Sequence, residues 1–258
     1  VIKRTLKLLA YRTAELSRIV PTIWMMRNPF KIHEFYQVVS DSGLHQDHVI
    51  LDLGCGKGFQ TQVLARSCKR AVGLDVSNVQ ITEARKFLKH SCVEKKVEFL
   101  ASRLEEAHLP SEEFDRVFSF CVLEHIPNLP RVLEELIRVM KPGGELHASV
   151  DALTSIKNLD LMESHKRDHY VVQYFTTSSL RQQLEDAGFE VLEVFPIMTG
   201  DFAREQFEIR IQRTDFSYGL MDRLRFYRRL RDEDLQSQND EGIMIVVRAR
   251  RPKEVGKR

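Results

Sequence analysis

The sequence has little that could act as a covalent or metal staple. Its four cysteines, Cys55, Cys68, Cys92 and Cys121, form no C-x-x-C pair and have no partner histidines at zinc-finger spacing. No metal centre is expected, and a disulfide framework is not expected of a chain this able to bury apolar surface. Long hydrophobic runs are missing as well: the longest mainly apolar stretch, Ile19 to Met26, is broken by Pro21 and too short to cross a bilayer. No basic start followed by an apolar run and a small-residue cleavage site is visible, so the expected location is cytoplasmic. Charge of one sign is not in excess. With 39 Lys+Arg against 37 Asp+Glu the formal net charge is +2, which excludes a bulk polyanion binder. Twelve Gly and eight Pro in 258 residues exclude a collagen-like or low-complexity chain, and no internal repeat is present.

What the chain does hold is enough apolar material for a full core, at 43% hydrophobic with 15 Phe. Its charge is unevenly distributed: residues 1–30 carry +5, residues 31–200 carry −6 and residues 201–258 carry +3. A mildly acidic middle is flanked by basic ends.

That middle alternates short apolar runs with helical patterns. Strands are expected at 49–53, 71–74, 97–100, 116–120 and 145–150, with helices at 59–67, 79–90 and 129–140 between them. Lys141-Pro142-Gly143-Gly144 should stop the last of these helices. Such alternation predicts a parallel sheet covered on both faces. Residues 152–175 are polar and read as irregular. A helix capped by the hydroxyl residues at 177–179 and ended by Gly188 follows, then strands at 189–194 and 243–247, with a basic helix at 221–230 in the intervening insertion.

Asp52-Leu53-Gly54-Cys55-Gly56-Lys57-Gly58 lies where the first strand turns into the first helix. Three alternate glycines let the backbone turn sharply and approach a ligand, and the helix after them aims free N–H groups into the same space. A bare glycine turn is the other reading. Spacing separates the nucleotide-binding options: a P-loop needs Ser or Thr after its lysine, but Gly58 follows Lys57, and a dinucleotide fingerprint needs glycine where Phe59 stands. Asp75 ends the second strand 17 residues beyond Gly58, where its carboxylate either accepts the hydroxyls of a ribose or caps a helix.

The ordered set Asp52–Gly58, Gly73-Leu74-Asp75, Phe114-Asp115-Arg116-Val117, Val122-Leu123-Glu124-His125-Ile126 and Met140-Lys141-Pro142-Gly143-Gly144 resembles the class I S-adenosylmethionine-dependent methyltransferases, from about Val49 to Val194. The resemblance implies a Rossmann-like, doubly wound, seven-stranded, mostly parallel α/β sheet with helical N-terminal and inserted cap segments. It divides the chain into an N-terminal helical cap, 1–46, and a methyltransferase domain, 47–258, with insertions at about 152–175 and 201–241. S-adenosylmethionine is the implied cofactor. Asp52, Gly54, Cys55, Gly56 and Gly58 would lie against its methionine part, Asp75 would hold the ribose and Val76 would pack on the adenine. Where the family often has Gly-Asp after the third strand, this chain has Ser102-Arg103; Arg103 and the Leu104 backbone then face adenine, with Glu105 as the nearest replacement acid.

Cys121 and His125 follow the fourth strand, at the end of the sheet where open α/β folds bind ligands. His125 is a candidate base for an attacking hydroxyl, or else orients the loop. His169 is the second candidate base, in a stretch (His165 to Tyr170, then Phe175-Thr176) similar to bacterial methyltransferases acting on sugars and other small metabolites. His165 and Tyr170 in that stretch, with Trp24 and Tyr36 from the N-terminal segment, are candidate substrate contacts. That segment, with Leu6, Leu9, Leu16, Ile19 and Ile23, either closes over the substrate, packs on the sheet edge or lies on an anionic membrane.

Methyl transfer needs alignment and exclusion of water rather than a triad. Nucleic-acid substrates are not expected: no Asn-Pro-Pro-Tyr-like segment follows the fourth strand, and Pro does not precede Cys121. Protein arginine is disfavoured because Glu124 has no second glutamate bracketing the loop. A small molecule remains, with a hydroxyl as the methylated group and an anionic one suggested by the Arg223–Arg229 helix. The alternatives are a non-catalytic binding module and methylation of a lipid or quinone at a membrane surface. The sequence leaves the oligomeric state open.

Overall fold

The computed structural model describes residue 23, residues 26–213 and residues 218–253. Seven strands form one sheet: β1 (Val49–Leu53), β2 (Arg70–Asp75), β3 (Val97–Ala101), β4 (Phe114–Phe120), β5 (Met140–Asp151), β6 (Glu190–Ile197) and β7 (Met244–Arg250). Their order is β3-β2-β1-β4-β5-β7-β6. The pairs from β3 through β5 are parallel, and β7 runs antiparallel to both of its neighbours. The expected doubly wound, mostly parallel sheet is the observed architecture. Chain order reverses between β1 and β4, which opens a crevice at the carboxyl ends of those strands.

Alternation along each strand builds two cores. Ile50, Ala71 and Phe118 face one side, while Leu51, Val72 and Val117 face the other. On the second side lie α4 (Leu129–Val139) and α6 (Thr177–Asp186). Leu129, Val132, Leu133, Leu136 and Val139 give α4 a helical stripe that buries on the sheet. The first side carries α1 (Pro29–Val39), α2 (Phe59–Leu64), α3 (Asn78–Leu88), α7 (Asp201–Gln212) and α8 (Leu220–Gln236). Asn28 caps α1 by accepting from the Phe30 N–H at 3.1 Å, with Pro29 just inside the helix. Phe30 then meets Phe207 of α7 and Phe226 of α8 edge-on, at centroid distances of 5.7 and 5.2 Å. Over residues 29–39 the N-terminal segment is therefore a helix packed on the sheet; the expectations for residues 1–22 lie outside the described residues.

Three sequence expectations are corrected. Helix α4 ends at Val139, and β5 begins at Met140 rather than at 145, because Gly143 N–H donates to Arg251 O and Arg251 N–H to Gly144 O, both at 2.9 Å. The Pro-Gly-Gly segment is thus held against the chain that leaves β7. Residues 152–175 are not irregular throughout: α5 (Leu159–Asp168) starts at an Asn158 cap. The helix at 221–230 extends to 220–236 because Asp234 is anchored, accepting from His33 Nε2 at 2.7 Å and from the N–H groups of Met198 and Thr199 at 2.8 Å. Burial alone would raise the Asp234 pKa; those donors hold it below the ordinary value.

Candidate functional site

β1 leads into a turn at Gly54, whose φ of +75° lies in the left-handed region. The Gly54 and Cys55 N–H groups both donate to Leu74 O, at 2.7 and 3.0 Å, so the turn is tied to the end of β2. A side chain at Gly54 would have its Cβ 2.2 Å from Val122 Cγ2. At Gly56 the Gly N–H donates to Asp75 Oδ2 at 2.9 Å, and a Cβ there would meet nothing within 4 Å. The loop is thus bound to Asp75 on one side and open on the other.

Asp52 lies beneath this loop, 1% exposed, and accepts from Thr61 Oγ1 at 2.5 Å. Burial pushes its carboxyl up to about 7, with the Thr61 hydrogen bond opposing the shift and the nearby Asp75 adding to it. A carboxyl raised in this way contributes stability that is full below the ordinary 3.8 and is lost as the pH rises through about 7. Asp52→Asn is therefore expected to flatten the fall in thermal midpoint between about pH 4 and pH 8 and to raise the midpoint at the alkaline end. Melting curves across that range test it; an unchanged slope in the variant would contradict this assignment.

One cavity opens beside the loop, and a second shares Cys121 and His125 with it. The first, of 410 Å³, is lined by Gly54 and Leu53 from β1, Asp75 and Val76 after β2, Ser102 to Glu105 after β3, and Phe120, Cys121, Val122, His125 and Ile126 after β4. It is mainly apolar with a few convergent polar groups, as small-ligand sites are. Asp75 stands at its wall with Oδ1 accepting from the Ser77 N–H at 2.8 Å.

The second cavity, of 310 Å³, is lined by Asn28, Phe30 and Lys31 of the α1 region, Cys121 and His125 after β4, Asp151 at the end of β5, His165 and His169, Phe207, Arg210, Ile211 and Arg213 from the α7 region, and Met244. Cys121 and His125 line both cavities. Cys121 adopts a φ of +51°, rare outside glycine, where the two spaces meet.

Around that junction is a buried polar cluster. The Cys121 thiol donates to Glu34 Oε1 at 3.1 Å and Asp151 Oδ1 at 3.4 Å; Ser149 Oγ donates to Glu34 Oε1 at 2.5 Å; Glu124 Oε1 accepts from the Asp151 N–H at 3.1 Å. Lys31 supplies a cation, its Nζ 2.8 Å from Glu34 Oε2. Burial would lower the Lys31 pKa, but Cys121, Glu34 and Asp151 outweigh it and hold the value well above normal. Burial and then Asp151 raise Glu124, and burial with Glu34 raises the Cys121 thiol, so both keep their protons near neutrality. Cys121, Glu124 and Asp151 are the one group of potential metal ligands found among the described residues, with donor atoms within 4.8 Å of one another.

The imidazoles approach from one side. His165 is buried, with Nε2 3.7 Å from Asp151 Oδ2 and Nδ1 3.0 Å from the Tyr174 hydroxyl. Burial lowers its pKa, with Asp151 opposing, so it stays neutral and can accept a proton. The His169 ring lies tilted beside it at a centroid distance of 4.4 Å, and His125 Nδ1 lies 3.3 Å from Tyr170 O.

Of the residues singled out in sequence, the first cavity brings together Gly54, Asp75, Val76, Arg103, Leu104 and Cys121. Asp52, Cys55, Gly56 and Gly58 do not line it; they form the turn behind it, with Cys55 5% exposed and Gly58 closed by the Phe99 ring. His125, His165 and His169 converge on the second cavity. Tyr170 and Tyr36 line neither. Tyr170 has a φ of +57° and an 84% exposed side chain, leaving only its carbonyl at the site. Tyr36 packs on Phe35 and Tyr227 instead. Trp24 lies outside the described residues. The Arg223–Arg229 stretch of α8 is absent from both cavities, since Arg223 donates to Met26 O, Arg225 pairs with Asp222 and Arg229 lies over the Phe202 ring at 4.1 Å.

Sequence reasoning missed Asp151, Lys31, Glu34, Arg210 and Arg213. Asp151 had an available signal, standing at the carboxyl end of an inner strand, where such sheets place ligands. The others had none: Lys31 and Glu34 look like one turn of a surface pair, and Arg210 sits in an insertion.

Residues 51–148 match the family described as a methyltransferase domain. The chain is 38% identical over 129 residues to the arsenite methyltransferase of Mus musculus, covering 45% of this chain and 34% of that protein. It is 26% identical over 170 residues to the sterol 24-C-methyltransferase of Kluyveromyces lactis, covering 62% of this chain and 45% of that protein. It spans a third to a half of the length of these curated relatives. Among solved structures, the geranyl diphosphate C-methyltransferase of Streptomyces coelicolor, in complex with Mg2+, geranyl diphosphate and S-adenosyl-L-homocysteine, is similar in fold at a TM-score of 0.64. The identity there is 12%, over 84% of this chain and 78% of that one.

Proposed function

We infer, for a chain whose residues 51–148 place it in the methyltransferase-domain family on the class I S-adenosylmethionine-dependent fold, that it transfers a methyl group from S-adenosylmethionine to a hydroxyl of a small molecule. The observation that carries this reading is the meeting of two cavities at Cys121 and His125. One suits a nucleoside and the other a polar acceptor, and a group passed between them crosses at that junction.

The first cavity fits the cofactor on three grounds. Asp75 offers a carboxylate to ribose hydroxyls, Val76, Leu104 and Ile126 offer apolar walls to a base, and Gly54 brings the loop backbone to the cavity wall without a side chain in the way. Glu105 lines the same space and supplies a carboxylate near the one that Arg103 displaces. When bound, the cofactor supplies a methyl carbon activated by its sulfonium. The residues of this chain align the acceptor, exclude water and take up a proton. The proton of the acceptor hydroxyl would pass to a neutral imidazole of this chain. His165 is suited to this by burial, and His125 and His169 stand beside it on the cavity wall.

A polar lining of histidines, Asp151, Lys31 and Arg210 supports a sugar or similar hydroxylated metabolite over a sterol ring system. Among the described residues no helix is long and apolar enough to cross a membrane. Calorimetric titration with S-adenosylhomocysteine tests the reading. Binding to the wild type is expected, weakened about 100-fold by Asp75→Ala through loss of charge-assisted hydrogen bonds. No binding to the wild type, or equal affinity in the variant, would remove it.

A further inference from the structure

The second cavity contains a positive charge that the described fold does not neutralise. Arg210 lines it from α7, part-buried, and its Nη1 donates to Asn28 Oδ1 at 3.1 Å. Among the described residues no carboxylate is paired with it. Burial lowers its pKa, with Tyr218 opposing that shift. A guanidinium drawn out of water without an acid partner is costly, and such groups are ordinarily paired. Lys31, which lines the same cavity, is already held by Glu34. Among the described residues that line the cavity the one carboxylate is Asp151, which is engaged with the Cys121 thiol and faces His165. Arg213, exposed one turn further along the chain, lines the same cavity and adds a second guanidinium.

We propose that Arg210, assisted by Arg213, binds an oxyanionic group of the acceptor, a phosphate or a carboxylate, so that the substrate class is a phosphorylated or carboxylated hydroxy compound. The cavity is then polar in two senses. Its Cys121–His125 part adjoins the cofactor space, and Arg210 lines only the second cavity. A planar guanidinium forms two parallel hydrogen bonds to such an oxyanion, which fixes the acceptor's orientation as well as its affinity. The acceptor's direction rests on the methyl-transfer reading; the anion site itself does not.

The test titrates S-adenosylhomocysteine-loaded protein with inorganic phosphate and with pyrophosphate by calorimetry, in the wild type, Arg210→Gln and Arg210→Lys. Binding is expected in the wild type, at least about tenfold weaker in Arg210→Gln and partly restored in Arg210→Lys, with S-adenosylhomocysteine affinity unchanged in both. Flotation with vesicles containing phosphatidic acid distinguishes the source of the oxyanion. Soluble phosphates bound without flotation assign a free metabolite, and flotation lost in Arg210→Gln assigns a lipid headgroup. Absence of binding to all three probes, or equal binding in Arg210→Gln, overturns the proposal. Should Asp75→Ala leave S-adenosylhomocysteine affinity untouched while phosphate binding still depends on Arg210, the methyl-transfer reading falls and the anion site stands.

Discussion

Gly54→Ala is expected to lower both stability and cofactor affinity, each severely. Two causes act together. At φ +75° any residue with a Cβ is strained, at about 1–2 kcal/mol. The added carbon would also lie 2.2 Å from Val122 Cγ2 and 2.9 Å from Cγ1, and a valine has few rotamers in which to retreat. Overpacking of this kind costs about 1–3 kcal/mol. The combined loss is a large part of an ordinary total of about 5–15 kcal/mol, and for a domain of this size it corresponds to roughly 5–15 °C in thermal midpoint. Affinity falls as well because Val122 lines the first cavity and leads into the turn at 123–125 that carries Glu124 and His125. Displacing it moves the wall against which the cofactor would rest, and titration with S-adenosylhomocysteine should show a loss of about 100-fold or more. The double variant Gly54→Ala/Val122→Ala separates the causes. Removing the collision should return part of the stability while the backbone strain persists. A single variant that melts and binds like the wild type would show that the turn is not the rigid support described here.

The order of the inner strands was legible because each is a short apolar run followed by a turn signal, as in Val49–Leu53 running into Gly54. Direction is another matter. Ile243 to Val247 announces a strand, but nothing in its alternation says that it enters between β5 and β6 and runs against both. Helix α5 escaped notice because His165 is its one buried side chain, so no apolar stripe marks it. At the site, the glycine loop and Asp75 could be found from local spacing because neighbouring residues build them. The second cavity could not. Lys31, Asp151 and Arg210 come from three distant segments that meet only when α1 and α7 pack on the sheet. Charge patterning misled in the same region: the arginines of α8 form the densest basic run in the sequence, yet they engage acids, a carbonyl and an aromatic ring close by. The cavity draws instead on Arg210 of α7 and on Arg213 just beyond its end.

Asp151→Asn should strike methyl transfer while sparing cofactor binding. Asp151 lines the second cavity and not the first, so affinity for S-adenosylhomocysteine is expected to stay within about twofold of wild type. Its carboxylate has two tasks. Oδ2 lies 3.7 Å from His165 Nε2, where in the proposed reaction it would stabilise an imidazolium formed on arrival of the acceptor's proton, and Oδ1 accepts from the Cys121 thiol at 3.4 Å, holding the residue at the junction in place. An amide of the same shape retains an acceptor oxygen for the thiol but loses the charge. The turnover number should therefore fall by about 10²–10⁴, the usual contribution of positioned proton transfer. The pH profile supplies a readout that misfolding would not mimic. Burial lowers the His165 pKa and Asp151 opposes that shift, so removing the carboxylate's charge lowers the value further. With the neutral imidazole as the proposed proton acceptor, the acidic limb of activity should lie below the ordinary histidine value in the wild type and move to still lower pH in Asp151→Asn. An acidic limb that stays in place, or a turnover number reduced less than about fivefold, would assign the proton to His125 or His169 without help from Asp151.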